Sequence, residues 1–96
     1  MKTITIVCDF STSSVADDLA QSLENTLGDF PSVEVASIDR GSFASKRSAK
    51  KIANDYAVTM YPFVVLKDNE EVTGAVYSEE GPVTVERILN KLNDNC

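Results

Sequence analysis

The chain has 96 residues, 43% of them hydrophobic and 25% charged, and a net charge of −6. That length suits one domain over residues 1–96, burying about two thirds of its unfolded surface without help from a metal or a disulfide. The acidity argues against nucleic acid and anionic membrane as partners, and the lack of histidine rules out zinc sites and Ser/His or Cys/His catalytic pairs.

In MKTITIVCDF the apolar run is short and broken by Thr3 and Thr5, so no secretory signal is expected. No apolar stretch approaches the roughly 20 residues of a membrane span, and a cytoplasmic location is expected. Residues 3–9, TITIVCD, alternate Thr3 and Thr5 with Ile4 and Ile6 and then turn apolar, which predicts a strand. The hydroxyl run Ser11, Thr12, Ser13, Ser14 breaks it. Val15, Leu19, Leu23 and Leu27 then recur every four residues, with Ala16 and Ala20 beside them, as one face of a helix. Asp17 and Asp18 are expected in its first turn and Gly28 as its C-cap.

Val33–Ile38 reads as a second strand, and two strands joined by a helix imply a parallel, right-handed βαβ unit. A second helix carries Ala49, Ile52, Ala53 and Tyr56 at the i, i+3, i+4, i+7 spacing, capped by Ser42 or Ser45. Phe63–Lys67 and Glu71–Tyr77 form a hairpin about the turn Asp68-Asn69-Glu70. Gly81-Pro82 is expected to open a last helix with Val85, Ile88, Leu89 and Leu92 inward. The sum is an α/β fold, β-α-β-α-β-β-α, with a mixed four-stranded sheet covered by helices on both faces.

This order is that of the minimal thioredoxin fold. Residues 49–77, AKKIANDYAVTMYPFVVLKDNEEVTGAVY, resemble thioredoxin-like proteins most closely: a helix ending in Tyr, a short apolar link, a proline, an apolar strand, a Lys-Asp turn and a returning strand. The resemblance implies that the Tyr61–Pro62 bond is cis and that Pro62 shapes a groove for an extended peptide. Where the family often has Thr after this proline, the chain has Phe63. Thioredoxins place Trp-Cys-Gly-Pro-Cys between the first strand and first helix, where the helix N-terminus acidifies the leading thiol. Here that place holds Phe10-Ser11-Thr12-Ser13-Ser14, with Ser11 and Ser14 where the cysteines would stand. A hydroxyl lacks the acidity and cannot form a disulfide, so dithiol exchange is expected to be absent.

The two cysteines, Cys8 and Cys96, are not spaced as a redox motif. Cys8-Asp9-Phe10-Ser11 resembles the Cys-Gly-Phe-Ser motif of monothiol glutaredoxins, which makes Cys8 the alternative catalytic residue. Its place directly continuing TITIV favours a buried, inert thiol. Ser11–Ser14 could hold an anion at the helix N-terminus or simply cap it. Asp9 and Asp39 read as loop or cap carboxylates. Tyr56 belongs to the apolar stripe, and Tyr61 is expected to be exposed in the groove as a contact residue. Lys46, Arg47, Lys50 and Lys51, with Arg40 nearby, form a basic patch that reads either as a solvated helix face or as a dock for an acidic partner. The patch is taken to lack interleaved aromatics, a second argument against nucleic acid. The leading expectation is a redox-inactive binding module for a protein or peptide, with no cofactor and no metal. Its groove comprises Ser11, Thr12, Ser13, Ser14, Tyr61 and Pro62.

Overall fold

The computed structural model describes residues 2–28 and 31–94; Cys96, at the end of the polar tail, lies outside them. The elements follow the predicted order: β1 (Lys2–Cys8), α1 (Ser13–Leu27), β2 (Ser32–Ser37), α2 (Phe43–Asp55), β3 (Phe63–Asp68), β4 (Glu71–Val76) and α3 (Val85–Asp94). Short 3-10 turns at Phe10–Thr12 and Ser78–Glu80 precede α1 and α3. The sheet order is β2-β1-β3-β4, with β1 parallel to β2 and antiparallel to β3, and β3 antiparallel to β4.

Strand periodicity sorts the core into two layers. Ile4, Ile6 and Cys8 of β1, with Val64 and Leu66 of β3, face α1 and α3 and meet Leu19, Leu23 and Ile88 there. Val7, Phe63 and Val65 face the other way, onto Ala49 with Ile52 and Tyr56 of α2. Phe63 is fully buried, with its ring centroid 5.5 Å from that of Tyr56 and 5.0 Å from that of Tyr77. Full burial of a side chain of this size contributes about 1.5–3 kcal/mol. An apolar phenyl fits after Pro62 because β3 is an inner strand with helices on both faces.

Local chemistry sets where the helices begin and end, and in places it differs from the sequence expectation. Gly28 closes α1 at φ +75°, its N–H donating to the Glu24 carbonyl at 2.8 Å. Asp17 and Asp18 are not in the first turn, because α1 starts at Ser13. Val15, in the first turn of α1, is not core but 46% exposed. Ser42 caps α2 by accepting from the Ser45 N–H at 3.2 Å. At its other end Ala57 takes φ +51° and Val58 N–H returns to the Ala53 carbonyl at 2.9 Å, a Schellman closure made without glycine. Gly81-Pro82 does not open α3. The chain passes through buried Val83 before Thr84, whose Oγ1 accepts from the Arg87 N–H at 3.2 Å and starts the helix at Val85. The hairpin turn is the two residues Asn69-Glu70, since Asp68 still pairs with Glu71.

Candidate functional site

Three segments converge at one corner of the molecule. The first is the junction of β1 and α1. Asp9 caps its 3-10 turn: the carboxylate accepts the Thr12 N–H at 3.0 Å, the Thr12 hydroxyl at 2.7 Å and the Ser11 hydroxyl at 2.9 Å. In return Thr12 Oγ1 accepts the Asp9 N–H at 3.1 Å, completing a capping box. The Thr12 hydroxyl, followed by the Ser11 hydroxyl and backbone N–H groups, holds the Asp9 carboxyl below the usual carboxylate range. Asp39, just after β2, accepts the Phe10 N–H at 3.0 Å and the Ser37 hydroxyl at 3.0 Å, tying the two loops together. Ser13 Oγ donates to the Phe10 carbonyl at 3.2 Å.

This arrangement corrects the reading of the hydroxyl run. No hydroxyl of Ser11–Ser14 caps α1: its N-cap, Thr12, makes no side-chain cap bond, and Asp9 does the capping one turn earlier. Two N–H groups of the corner, those of Thr12 and Phe10, are already taken by the carboxylates of Asp9 and Asp39, and the Arg40 guanidinium lies 3.5 Å from Ser13 Oγ beside them.

The second segment is the link from α2 to β3. After Ala57 the chain runs through Thr59, whose N–H reaches Glu79 Oε2 at 3.4 Å, to a cis Tyr61–Pro62 bond. Tyr61 is half-buried rather than free, because its ring joins the layer around Phe63. Burial raises its phenol pKa, with the nearby charges of Asp9 and Asp39 adding to the effect. The third segment is the 78–83 loop. Ser78 Oγ donates to the Pro62 carbonyl. The Arg87 guanidinium holds the loop from below, donating to the carbonyls of Gly81 at 2.6 Å, Pro82 at 2.8 Å and Tyr77 at 3.0 Å.

Between these segments lies an open groove of about 500 Å³, lined by Thr12, Val15, Met60, Tyr61, Pro62, Ser78, Gly81, Pro82 and Val83. Its surface is almost wholly apolar, with Val15 46% and Met60 52% exposed. Of the residues expected there, Thr12, Tyr61 and Pro62 line it; Ser11, Ser13 and Ser14 do not. Val15, Met60, Val83 and the bracing Arg87 were not anticipated. Val15 carries the right helical spacing for core and gives no local sign of its exposure. The Gly-Pro pair was legible as a break but not as a groove wall.

Cys8 is not at this groove; it borders a separate cavity of about 700 Å³ lined also by Ser13, Asp17, Ser37 and Arg40. Its side chain is 0% exposed at the end of β1 and packs in the layer under α1. Burial pushes its thiol pKa up, and the charges of Asp17, Asp9 and Asp39 push the same way against a lowering hydrogen bond from Ser37. These effects favour the protonated thiol, whereas a nucleophile needs the thiolate. Among the described residues no group of three or more His, Cys, Asp or Glu is placed to hold a metal.

The basic residues lie on α2, away from the groove lining. Lys46 is half-buried and Lys50 exposed. Lys51 pairs with Asp55 at 3.2 Å, and Arg47 stacks over the Phe43 ring at 4.8 Å. Arg40 lies 5.5 Å from the centroid of Phe10. Phe10 and Phe43 are 69% and 72% exposed, so the patch does have an aromatic component, contrary to the sequence reading.

No protein-family model matches this chain, and no curated protein matches it in sequence. Solved structures do resemble it. One described as a malarial protein has a TM-score of 0.63 at 9% identity, covering 99% of this chain and 97% of that one. A designed protein has a TM-score of 0.61 at 15% identity, covering 97% and 78%. A DsbF homologue from Corynebacterium diphtheriae has a TM-score of 0.57 at 17% identity, covering 97% and 71%. No helix among the described residues is long and apolar enough to cross a membrane. At these identities the likeness speaks for architecture alone, and with the sheet order and helix placement above it establishes that the chain has a thioredoxin-like fold.

Proposed function

We propose that this protein is a redox-inactive thioredoxin-like binding module, working in the cytoplasm, whose groove beside Pro62 takes an extended apolar segment of a partner protein. The observation that carries the reading is the apolar groove itself, built where the Pro62 loop meets the start of α1. Hydroxyls stand where a dithiol would, and the one thiol among the described residues, that of Cys8, is buried with its pKa pushed up. Both facts speak against electron transfer. An apolar trough suits a segment that inserts one or two large side chains into it. A free, buried Cys8 is also compatible with a reducing compartment. The basic patch of Lys46, Arg47, Lys50 and Lys51 is a secondary contact surface for an acidic region of the same partner.

The test combines two measurements. In an insulin-reduction assay with dithiothreitol the protein should not exceed background; turnover would overturn the redox-inactive part. Random peptides selected on the wild-type protein should shift the NMR resonances of Val15, Met60, Tyr61 and Val83. Val15→Asp should abolish that binding, while Cys8→Ser should leave it intact. Selected peptides that bind Val15→Asp equally well would refute the groove.

A further inference from the structure

The sheet has two open edges, and they are not equivalent. β4 slips register against β3 between Leu66 and Lys67, and such an irregularity bends a strand and spoils edge-to-edge pairing. β2 pairs with β1 without a break over Ser32–Ser37. The Ile38 N–H donates to the Cys8 carbonyl at 3.0 Å. By the alternation of a parallel ladder, Glu34 and Ala36 then turn their N–H and C=O toward β1, and Val33, Val35 and Ser37 turn theirs outward. Among the described residues no strand pairs with that outward side.

The devices that normally guard an edge are missing here. The strand SVEVAS contains no proline and no lysine. Its single charge, Glu34, is drawn back onto the neighbouring strand, accepting the Thr5 hydroxyl at 2.9 Å. Val35, at the middle, is 38% exposed. A cavity of about 700 Å³ runs along the strand, with Ser13 and Asp17 of α1 on one side and Ser45 and Ser48 of α2 on the other. Both helices therefore stand back from the edge and leave room for side chains on either face of an added strand.

We propose that β2 is a self-association edge: two copies pair their β2 strands antiparallel about a two-fold axis through Val35, joining two four-stranded sheets into one of eight strands. The register follows from chemistry. Each face of one sheet must continue as the same face of the other, so the axis passes through a residue. An axis at Glu34 would oppose two carboxylates. An axis at Ala36 engages the outward groups of Val35 and Ser37 but leaves Val33 facing a residue beyond the strand. An axis at Val35 sets valine on valine and Glu34 against Ala36, and it pairs every outward N–H and C=O of Val33, Val35 and Ser37 on both copies. Each copy carries −6, so long-range repulsion opposes the contact and added salt strengthens it. An interface this narrow gives a weak, reversible dimer.

The test is sedimentation equilibrium of the full chain, with reductant present, from about 10 µM to about 1 mM protein at low salt and at about 0.5 M salt. The expected result is a dimer whose fraction rises with both concentration and salt. Val35→Pro removes the central N–H on a side where an edge strand tolerates proline, and it should weaken association by about tenfold or more with an unchanged circular-dichroism melt. Should that variant unfold, Val35→Lys and concentration-dependent protection of the Val33, Val35 and Ser37 amides against exchange serve instead. A wild-type monomer throughout, a dimer weakened by salt as docking onto the basic helix would be, or a dimer indifferent to both substitutions would overturn the proposal. None of these outcomes bears on the Pro62 groove.

Discussion

Alkylation of Cys8 separates a binding module from an oxidoreductase most directly. β1 is an inner strand, hydrogen-bonded to β2 on one side and β3 on the other, and the thiol at its end is 0% exposed beneath α1. Cys8 borders the cavity of about 700 Å³ along β2 but keeps no exposed surface, so a reagent reaches the sulfur only when the layer around it opens. Opening of an inner strand costs close to the global stability, about 5 kcal/mol or more for a chain of this size. At about 1.4 kcal/mol per factor of ten, the native thiol should react at least about a thousandfold more slowly than a free one. The raised pKa slows it further at neutral pH by withholding the thiolate. The assay is iodoacetamide labelling read by mass spectrometry, on a Cys96→Ser variant so that a single thiol reports. It is run natively at pH 7 to 9 and in guanidinium chloride. Labelling in denaturant but not in native buffer is expected. Native labelling within about tenfold of a free thiol would refute the burial argument and with it the redox-inactive reading. The linkage gives a second readout. The folded thiol has the higher pKa, so its contribution to stability is complete below the unfolded value of about 8.5 and is lost as pH rises above it.

Asp9→Ala removes the acceptor for the Thr12 N–H and for two hydroxyls, and should cost about 1 kcal/mol at pH 7 in urea denaturation. Because the folded carboxyl pKa is lowered, the wild-type advantage is full above the unfolded value of about 4 and fades as pH falls through the folded one, so the gap should narrow in acid; a constant gap would contradict it. Glu70→Gly relieves a left-handed residue at φ +71°, paired with Asn69 at φ +54° in a type I′ turn. It should stabilise the protein by about 0.5–1 kcal/mol, read as a higher melting temperature. Arg87→Ala strips the brace from three carbonyls, two of them, Gly81 and Pro82, in the groove wall. It should cost about 2 kcal/mol and weaken binding of groove-selected peptides; stability loss with unaltered binding would show that Arg87 does not shape the groove.

Much of the fold was legible because its determinants are local. The four-residue recurrence of Leu19 and Leu23 and the i, i+3, i+4 spacing of Ala49, Ile52 and Ala53 report helix faces that the structure buries. The hairpin and the C-cap at Gly28 were read from turn chemistry alone. The errors cluster where two segments meet. Val15 has the spacing of a core residue, yet it lies one turn after the Asp9-capped 3-10 turn and lines the groove instead. Tyr61 reads as an exposed contact but rests on the Phe63 layer, a neighbour supplied by a different strand face. Val83 gave no signal before the 78–83 loop was seen folded back over Pro62.

From the sequence alone, residue types and their periods determine that the chain makes four strands and three helices in this order and that no sulfur follows the first strand at the turn into the helix. Those properties depend on the chain's own neighbours, a few residues apart. Tertiary structure alone decided that the carboxylates of Asp9 and Asp39 take the N–H groups of Thr12 and Phe10, that Cys8 is buried beneath α1, and that Arg87 props an apolar trough beside Pro62. Each of these joins groups from separate segments, and the energy of such a contact exists only once the sheet has brought them within hydrogen-bond or van der Waals range.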